Sequence, residues 1–334
     1  MKKAMKRLFK EFKNNILIII IISVFVACEV YELDYSIYSP GGLINVEERL
    51  ENVQYKSSGS FNLTYVSSRK GTLANLLIAK ILPGFDIIKN EEITIPDEDM
   101  IDSTNREKIQ IKEAKSAAIY VSYMKANKDF DITNEDDYVY YVADKNNNEL
   151  RVGDKFLRCD GNEVNDYDDI HNCVTKHKEN EDVSFEVERD NKSVVVNSKT
   201  YKSDGEIIVG IVIKRIYDYR LDPEIKYSYE KNESGSSGGL MLALALYDSL
   251  VEEDITRGLK IAGTGTIDID GSVGEIAGVK YKLAGAVKKK ANIFIVPDEN
   301  YDEAVKLKQD NNYDITIIGA TSFDQVLNEL KNYN

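Results

Sequence analysis

Only two histidines, His171 and His177, occur in 334 residues. So few leave no room for a histidine-rich metal site, and any Ser-His-Asp triad would have to use one of them. No G-x-x-x-x-G-K-[ST] segment is present, so the phosphate-cradling loop of that kind is missing; no nucleotide, metal or other cofactor is expected. Positive charge is also scarce, with Lys+Arg 43 against Asp+Glu 57 and a net charge of −14. Residues 1–14 hold six basic groups and one acid, a net +5, which leaves −19 for the rest of the −14 total. An acidic body repels phosphate backbones, and no basic patch interleaved with aromatics follows, which argues against nucleic-acid binding. What is present is ordinary for a folded chain: 43% hydrophobic and 30% charged residues, at a length that suggests two folded units.

The basic start (Lys2, Lys3, Lys6, Arg7, Lys10, Lys13) runs into an uncharged stretch from Asn14 to Cys28 with the core ILIIIIISVFVAC. A soluble helix does not begin this way. The core is shorter than the ~20 residues of a comfortable spanning helix, which suits a signal-peptide core or a short signal anchor with snorkelling lysines. The expectation is a cytoplasmic basic tail at 1–14 and a transmembrane signal anchor at 15–30. By the positive-inside bias the body is then extracytoplasmic, tethered to the cytoplasmic membrane. Phe25-Val26-Ala27 offers only one small residue for signal-peptidase cleavage, and a lipoprotein alternative would acylate Cys28. The other two cysteines, Cys159 and Cys173, are free to form a disulfide in that compartment or to stay as thiols.

Residues 31–125 read as an extracytoplasmic N-terminal segment. Tyr31, Tyr35 and Tyr38 suit a membrane interface, Pro40-Gly41-Gly42 is a turn signal, Phe61–Val66 alternates as a strand does, Leu73–Ile81 is apolar and helical, 91–102 is an acidic loop and 106–125 a helix. Over 126–203 the texture changes to short strands and tight turns. Val152-Gly153-Asp154 and Asp160-Gly161-Asn162 bracket Phe156-Leu157, and Val183, Phe185 and Val187 alternate before an Asp190-Asn191 turn. Leu150, Val152, Gly153, Asp154, Phe156, Asp160 and Gly161 match an "L-x-V-G-D-x-I-x-x-x-D-G" run, and the unit resembles a PDZ domain of the bacterial protease-associated kind. Such a domain binds an extended peptide by adding it as a strand; a β module serving only as a spacer is the alternative. From 204 to 334 strands and helices alternate, with a strand at Ile207–Ile213, a helix apolar on nearly every side at Leu240–Leu250 and a basic-faced helix at 280–290.

The chemistry points to KNESGSSGGLMLALALYDSL. A flexible linker does not run straight into an apolar helix, so these glycines sit at the mouth of a buried helix, where backbone N–H groups are unpaired and the dipole is positive. A serine there has oxyanion donors beside it but no base. With histidine so scarce the base would be a lysine whose pKa is lowered by burial, and Lys280 and Lys282 follow the flexible Ala277-Gly278 pair. A helix turns about 200° over two residues, so only one of them can face the serine.

Residues 235–300 resemble the proteolytic domain of the Lon family. Gly235-Ser236-Ser237-Gly238-Gly239 corresponds to its "G-P-S-A-G" motif; Thr264-Gly265-Thr266-Ile267, Gly271, Val273, Ile276, Ala277-Gly278 and Lys282 to its "T-G-E-I…G-x-V-x-x-I-G-G-x-x-x-K" run; Val296-Pro297-Asp298-Glu299-Asn300 to its "I-P-x-E-N". The resemblance implies a Ser-Lys dyad of Ser237 and Lys282, with Thr264 beside the lysine and Gly235 and Gly238 supporting. Ser236 stands where the family has proline, Gly238 where it has alanine and Ser234 where many members have an acid, which makes Ser236 a rival nucleophile. Anchor, PDZ-like unit and Lon-type domain together resemble the ATPase-free, membrane-anchored, PDZ-containing Lon-like proteases. The fold class expected is an α/β Lon-type proteolytic domain plus a small mostly-β PDZ-like domain behind an N-terminal membrane segment. The function implied is ATP-independent serine endopeptidase activity on unfolded or exposed polypeptide, its oligomeric state open. A non-catalytic peptide-binding scaffold and a Ser-Lys amidase acting on envelope material are the alternatives.

Overall fold

The computed structural model describes residues 15–95, 98–228 and 235–333. The expected cytoplasmic tail at 1–14 and Ser234 lie outside these. Helix α1 (Ile16–Val30) is uncharged and, Ser23 apart, apolar from Ile16 to Cys28, with Glu29 in its last turn. At 15 residues it is about 22 Å long, short of the ~30 Å hydrocarbon core, and no helix among the described residues is long and apolar enough to cross a membrane.

The chain then lays down β1 (Glu32–Asn45), β2 (Ser60–Thr72), α2 (Leu73–Ile81) and β3 (Asp86–Lys89). The turn expected at Pro40-Gly41-Gly42 is instead a bulge within β1: Pro40 pairs Val66 and Leu43 pairs Thr64, so the register shifts between them. The reason is crowding. A Cβ on Gly41 would lie 2.1 Å from the Tyr65 carbonyl oxygen, and a Cβ on Gly285 of a later helix would lie 3.4 Å from the Gly41 carbonyl. Next comes α3 (Met100–Lys125), capped by Asp99, which accepts from Ile101 N and Asp102 N; the helix therefore starts inside the stretch read as a loop.

A smaller antiparallel sheet follows, built from β4 (Asp129–Val142), β5 (Lys155–Cys159), β6 (Asp182–Arg189), β7 (Lys192–Lys199) and β8 (Ile211–Asp222) in the order β8-β4-β5-β6-β7, with helix α4 (Tyr167–Val174) against it. The turn residues behave as their types demand: Asp160 and Gly161, and later Asp190 and Asn191, all have positive φ. Val183, Phe185 and Val187 point inward with Phe156, whose ring meets Phe185 edge-on at 5.5 Å. Buried Asp154 takes two hydrogen bonds from Arg189, at 2.7 and 2.6 Å, and a disulfide joins Cys159 of β5 to Cys173 of α4. The strand expected over Ile207–Ile213 is broken at Gly210 (φ 64°): Glu206–Ile208 pairs with Tyr201–Ser203, whereas β8 pairs along the length of β4.

The remaining elements are α5 (Gly239–Leu250), β9 (Lys260–Gly263), α6 (Val279–Lys288), β10 (Ile293–Pro297), α7 (Tyr301–Asp310), β11 (Thr316–Ala320) and α8 (Phe323–Asn332). Their strands join those of the N-terminal segment in one six-stranded sheet, β11-β10-β9-β2-β1-β3. Its centre is parallel: Ile261 pairs Phe61 on one side and Ile293 on the other. Every residue of α5 is buried, between this sheet and α3, which is why its sequence carries no polar face.

One acid in this core is strained by its surroundings. Glu47 Oε1 accepts from Phe61 N at 2.6 Å, while Oε2 is buried with no partner among the described residues. Burial pushes its pKa from near 4.5 up to about 7. A carboxyl raised in this way stabilises the fold below its ordinary pKa, and the contribution is lost as pH climbs through 7. Glu47→Gln is therefore expected to stabilise by about 2 kcal/mol at pH 8.5 and to change little at pH 4.5, as read from unfolding curves at the two pH values.

Candidate active site

The site forms where β9 ends. Thr264 follows its last residue, at the carboxyl edge of the parallel strands where α/β sheets bind their ligands, and Thr264 N donates to Ile295 O at 2.9 Å. The fully buried Thr264 side chain donates to the Ser237 carbonyl at 3.0 Å, and Gly265 N donates to the same oxygen at 2.8 Å. Leu240 N returns a bond to Gly265 O at 3.1 Å. The backbone around Ser237 is thus fastened to the end of β9 from both sides. Gly235 (φ 84°) makes the turn that a side chain would resist, and Gly238 precedes the first residue of α5, packed against Leu63 so that a Cβ would meet its Cδ2 at 3.2 Å.

Lys282 comes in from α6. Its side chain is only 5% exposed, and Nζ lies 3.0 Å from Ser237 Oγ and 3.0 Å from Thr264 Oγ1. Burial lowers its pKa from 10.5 to about 8, and the positive end of α5 acts in the same sense. Lys280, two residues earlier, faces the other way: half exposed, its Nζ donates to Asp86 Oδ2 at 2.7 Å. Among the described residues the hydroxyls that meet Lys282 are those of Ser237 and Thr264, and Ser236 uses its carbonyl to accept from Gly239 N. Both histidines sit with the smaller sheet, His171 stacked on Tyr167 and His177 bonded to Asp160 at 2.7 Å.

Two residues that the sequence reading left without a role shape the approach of α6. Buried Asn300 pairs with one backbone unit, accepting from Ile276 N at 2.9 Å and donating to Ile276 O at 3.1 Å. This fixes the segment that turns at Gly278 (φ 79°) into α6. Asn300 closes the quoted "I-P-x-E-N" match, so its signal was in the sequence. Asp86 also accepts from Tyr281 Oη at 2.6 Å, a contact across 195 residues that no local pattern announces. Asn300→Ala leaves the Ile276 N–H and C=O unpaired in a buried position, and an unfolding free energy lower by about 1–3 kcal/mol is expected in urea titration.

Residues 231–332 match the family model of the Lon protease (S16) C-terminal proteolytic domain, and residues 101–200 match that of the PDZ domain. The chain joins a Lon proteolytic domain to a PDZ domain. The Lon domain match covers Ser237, Thr264, Lys282 and Asn300 alike. Among curated proteins the chain is similar to an archaeal Lon protease of Halobacterium salinarum, with 29% identity over 124 residues, 36% of this chain and 17% of that protein. It therefore spans under a fifth of that relative's length. The crystal structure of the PDZ domain of an SdrC-like protein from Listeria monocytogenes aligns with 25% of this chain and 92% of its own at 20% identity, with a TM-score of 0.22.

Proposed function

We propose that the protein is an ATP-independent serine endopeptidase in which Ser237 is the nucleophile and Lys282 the general base. The observation that carries this reading is a lysine amine, buried and lowered to about 8, within 3.0 Å of a serine hydroxyl at the mouth of a buried helix. Neutral Lys282 takes the Ser237 proton as Oγ attacks the peptide carbonyl carbon. The first amides of α5 already bond Ser236 O and Gly265 O, so the N–H groups of Ser237 and Gly238 just ahead of the helix receive the oxyanion, and Thr264 Oγ1 accepts from the lysine while it is protonated. The ammonium then gives its proton to the leaving amine, the C–N bond breaks, and a water activated by the same lysine hydrolyses the acyl ester. With no phosphate loop in the sequence, substrates are unfolded chains or exposed segments, which the PDZ domain engages as added strands. The apolar α1 behind a basic tail is the tether to the cytoplasmic membrane, with the body on the extracytoplasmic side; the exposed Ile, Val and Phe side chains along α1 support this.

The test is to treat the purified full chain with a fluorophosphonate probe and, separately, with casein in the absence of ATP. Labelling at Ser237 together with casein fragments is expected. No labelling would leave a peptide-binding scaffold, and labelling without peptide-bond cleavage would point to an amidase.

A further inference from the structure

Beyond α1, exposed apolar side chains among the described residues are densest on α2. Leu73, Leu77 and Ile81 recur every four residues on one face, and Ile78 and Leu82 widen it; Leu77 is 61% and Ile81 77% exposed. A helix on the surface of a globular domain turns such a face inward. Here the only buried residue of α2 is Ala79, and the helix is nonetheless well formed, with Thr72 Oγ1 accepting from Asn75 N at 3.2 Å. Two features say what covers the face. Helix α2 packs alongside α1, so the two apolar surfaces are continuous. The local sequence is also basic: residues 69–89 carry Arg69, Lys70, Lys80 and Lys89 against the single acid Asp86, in a chain whose net charge is −14. Lys70 and Lys89 form exposed ion pairs with Glu32 and Glu91, which leaves Arg69 and Lys80 as the cations beside the apolar face.

We propose that α2 lies in the headgroup–acyl boundary of an anionic lipid bilayer as a second membrane contact beside α1. The aliphatic face enters the lipid and Arg69 and Lys80 meet the phosphates, the pattern of an interfacial helix. The inference rests on reading α1 as the membrane tether. Its consequence is for the site. Pro83 and Gly84 lead from α2 into β3, whose Asp86 holds Lys280 and Tyr281 at the start of α6. The element in the lipid is thus one short strand away from the helix that carries Lys282, which fixes the height of Ser237 above the membrane.

The test uses the full chain with Cys28→Ser, its disulfide intact, and one new cysteine at a time (Leu77→Cys, Ile81→Cys, Val24→Cys or Val195→Cys) labelled with bimane. The labelled proteins are reconstituted in phosphatidylcholine–phosphatidylglycerol vesicles (3:1) containing doxyl-lipid quenchers. Quenching of at least twofold is expected at positions 77 and 81, as at 24, with none at 195 on β7. Quenching at 24 but not at 77 and 81 overturns the α2 contact and leaves the tether standing; a blue shift there without lipid quenching does the same and assigns the face to a second copy. No quenching at any of the three overturns the tether and this inference together. Exchanging phosphatidylglycerol for phosphatidylcholine is expected to halve quenching at 77 and 81, and an unchanged signal overturns the anionic preference.

Discussion

Ser237→Ala is expected to reduce casein cleavage by at least ~10³-fold, the scale on which enzymes lose activity when their nucleophile is removed. The fold should hardly notice. The backbone at 237 is held through its carbonyl, by Thr264 Oγ1 and Gly265 N, and these bonds do not involve the deleted hydroxyl. Lys282 keeps its contact with Thr264 Oγ1. A change in unfolding free energy within about 0.5 kcal/mol is therefore anticipated, which separates a chemical loss from a structural one. The companion variant Ser236→Ala should retain activity. If Ser237→Ala keeps turning over casein while Ser236→Ala does not, the nucleophile moves by one residue.

The second large effect separates two lysines only two residues apart. Lys282→Arg preserves charge but supplies a group that does not deprotonate near neutral pH, so activity should fall by at least ~10²-fold. Lys280→Arg should retain most of it, because an arginine can still pair with Asp86 at a half-exposed position. Since only the neutral amine can take the serine proton, the wild-type rate should rise with pH through an apparent pKa of about 8, the value to which burial lowers Lys282. Lys282→Met, which removes the charge from the buried position altogether, controls for misfolding: it should melt as a folded protein and remain inactive. Equal losses in the arginine variants at 280 and 282 would mean that α6 itself had been disturbed, and a pH profile still flat at 8 would remove the lysine from the proton transfer.

Local pattern carried much of the molecule. The unbroken apolar run from Leu240 to Tyr247 after a glycine-rich turn reads as a helix buried on all sides, and α5 is that. The period-2 alternation of 183–187 and the Asp-Gly and Asp-Asn turns set the register of the small sheet, because side-chain period and turn type are properties of neighbouring residues. Helix geometry alone required that Lys280 and Lys282 face different environments, and the Lon resemblance named the inner one. Other features depended on partners far away in the chain. Nothing in residues 60–72 announces a parallel pairing with 260–263, and nothing at Pro40-Gly41-Gly42 distinguishes a turn from a bulge until Tyr65 and α6 crowd the same backbone. Asn300 on Ile276 and Asp86 on Tyr281 are likewise products of chain closure. The sequence by itself determined the elements, the buried helix and the residue types of the site, since these follow from periodicity, capping and turn chemistry within a few residues. Which strands share a sheet, and the 3.0 Å approach of Lys282 to Ser237, were decided only by tertiary structure, because both require segments tens to nearly two hundred residues apart to be packed in one place before any contact forms.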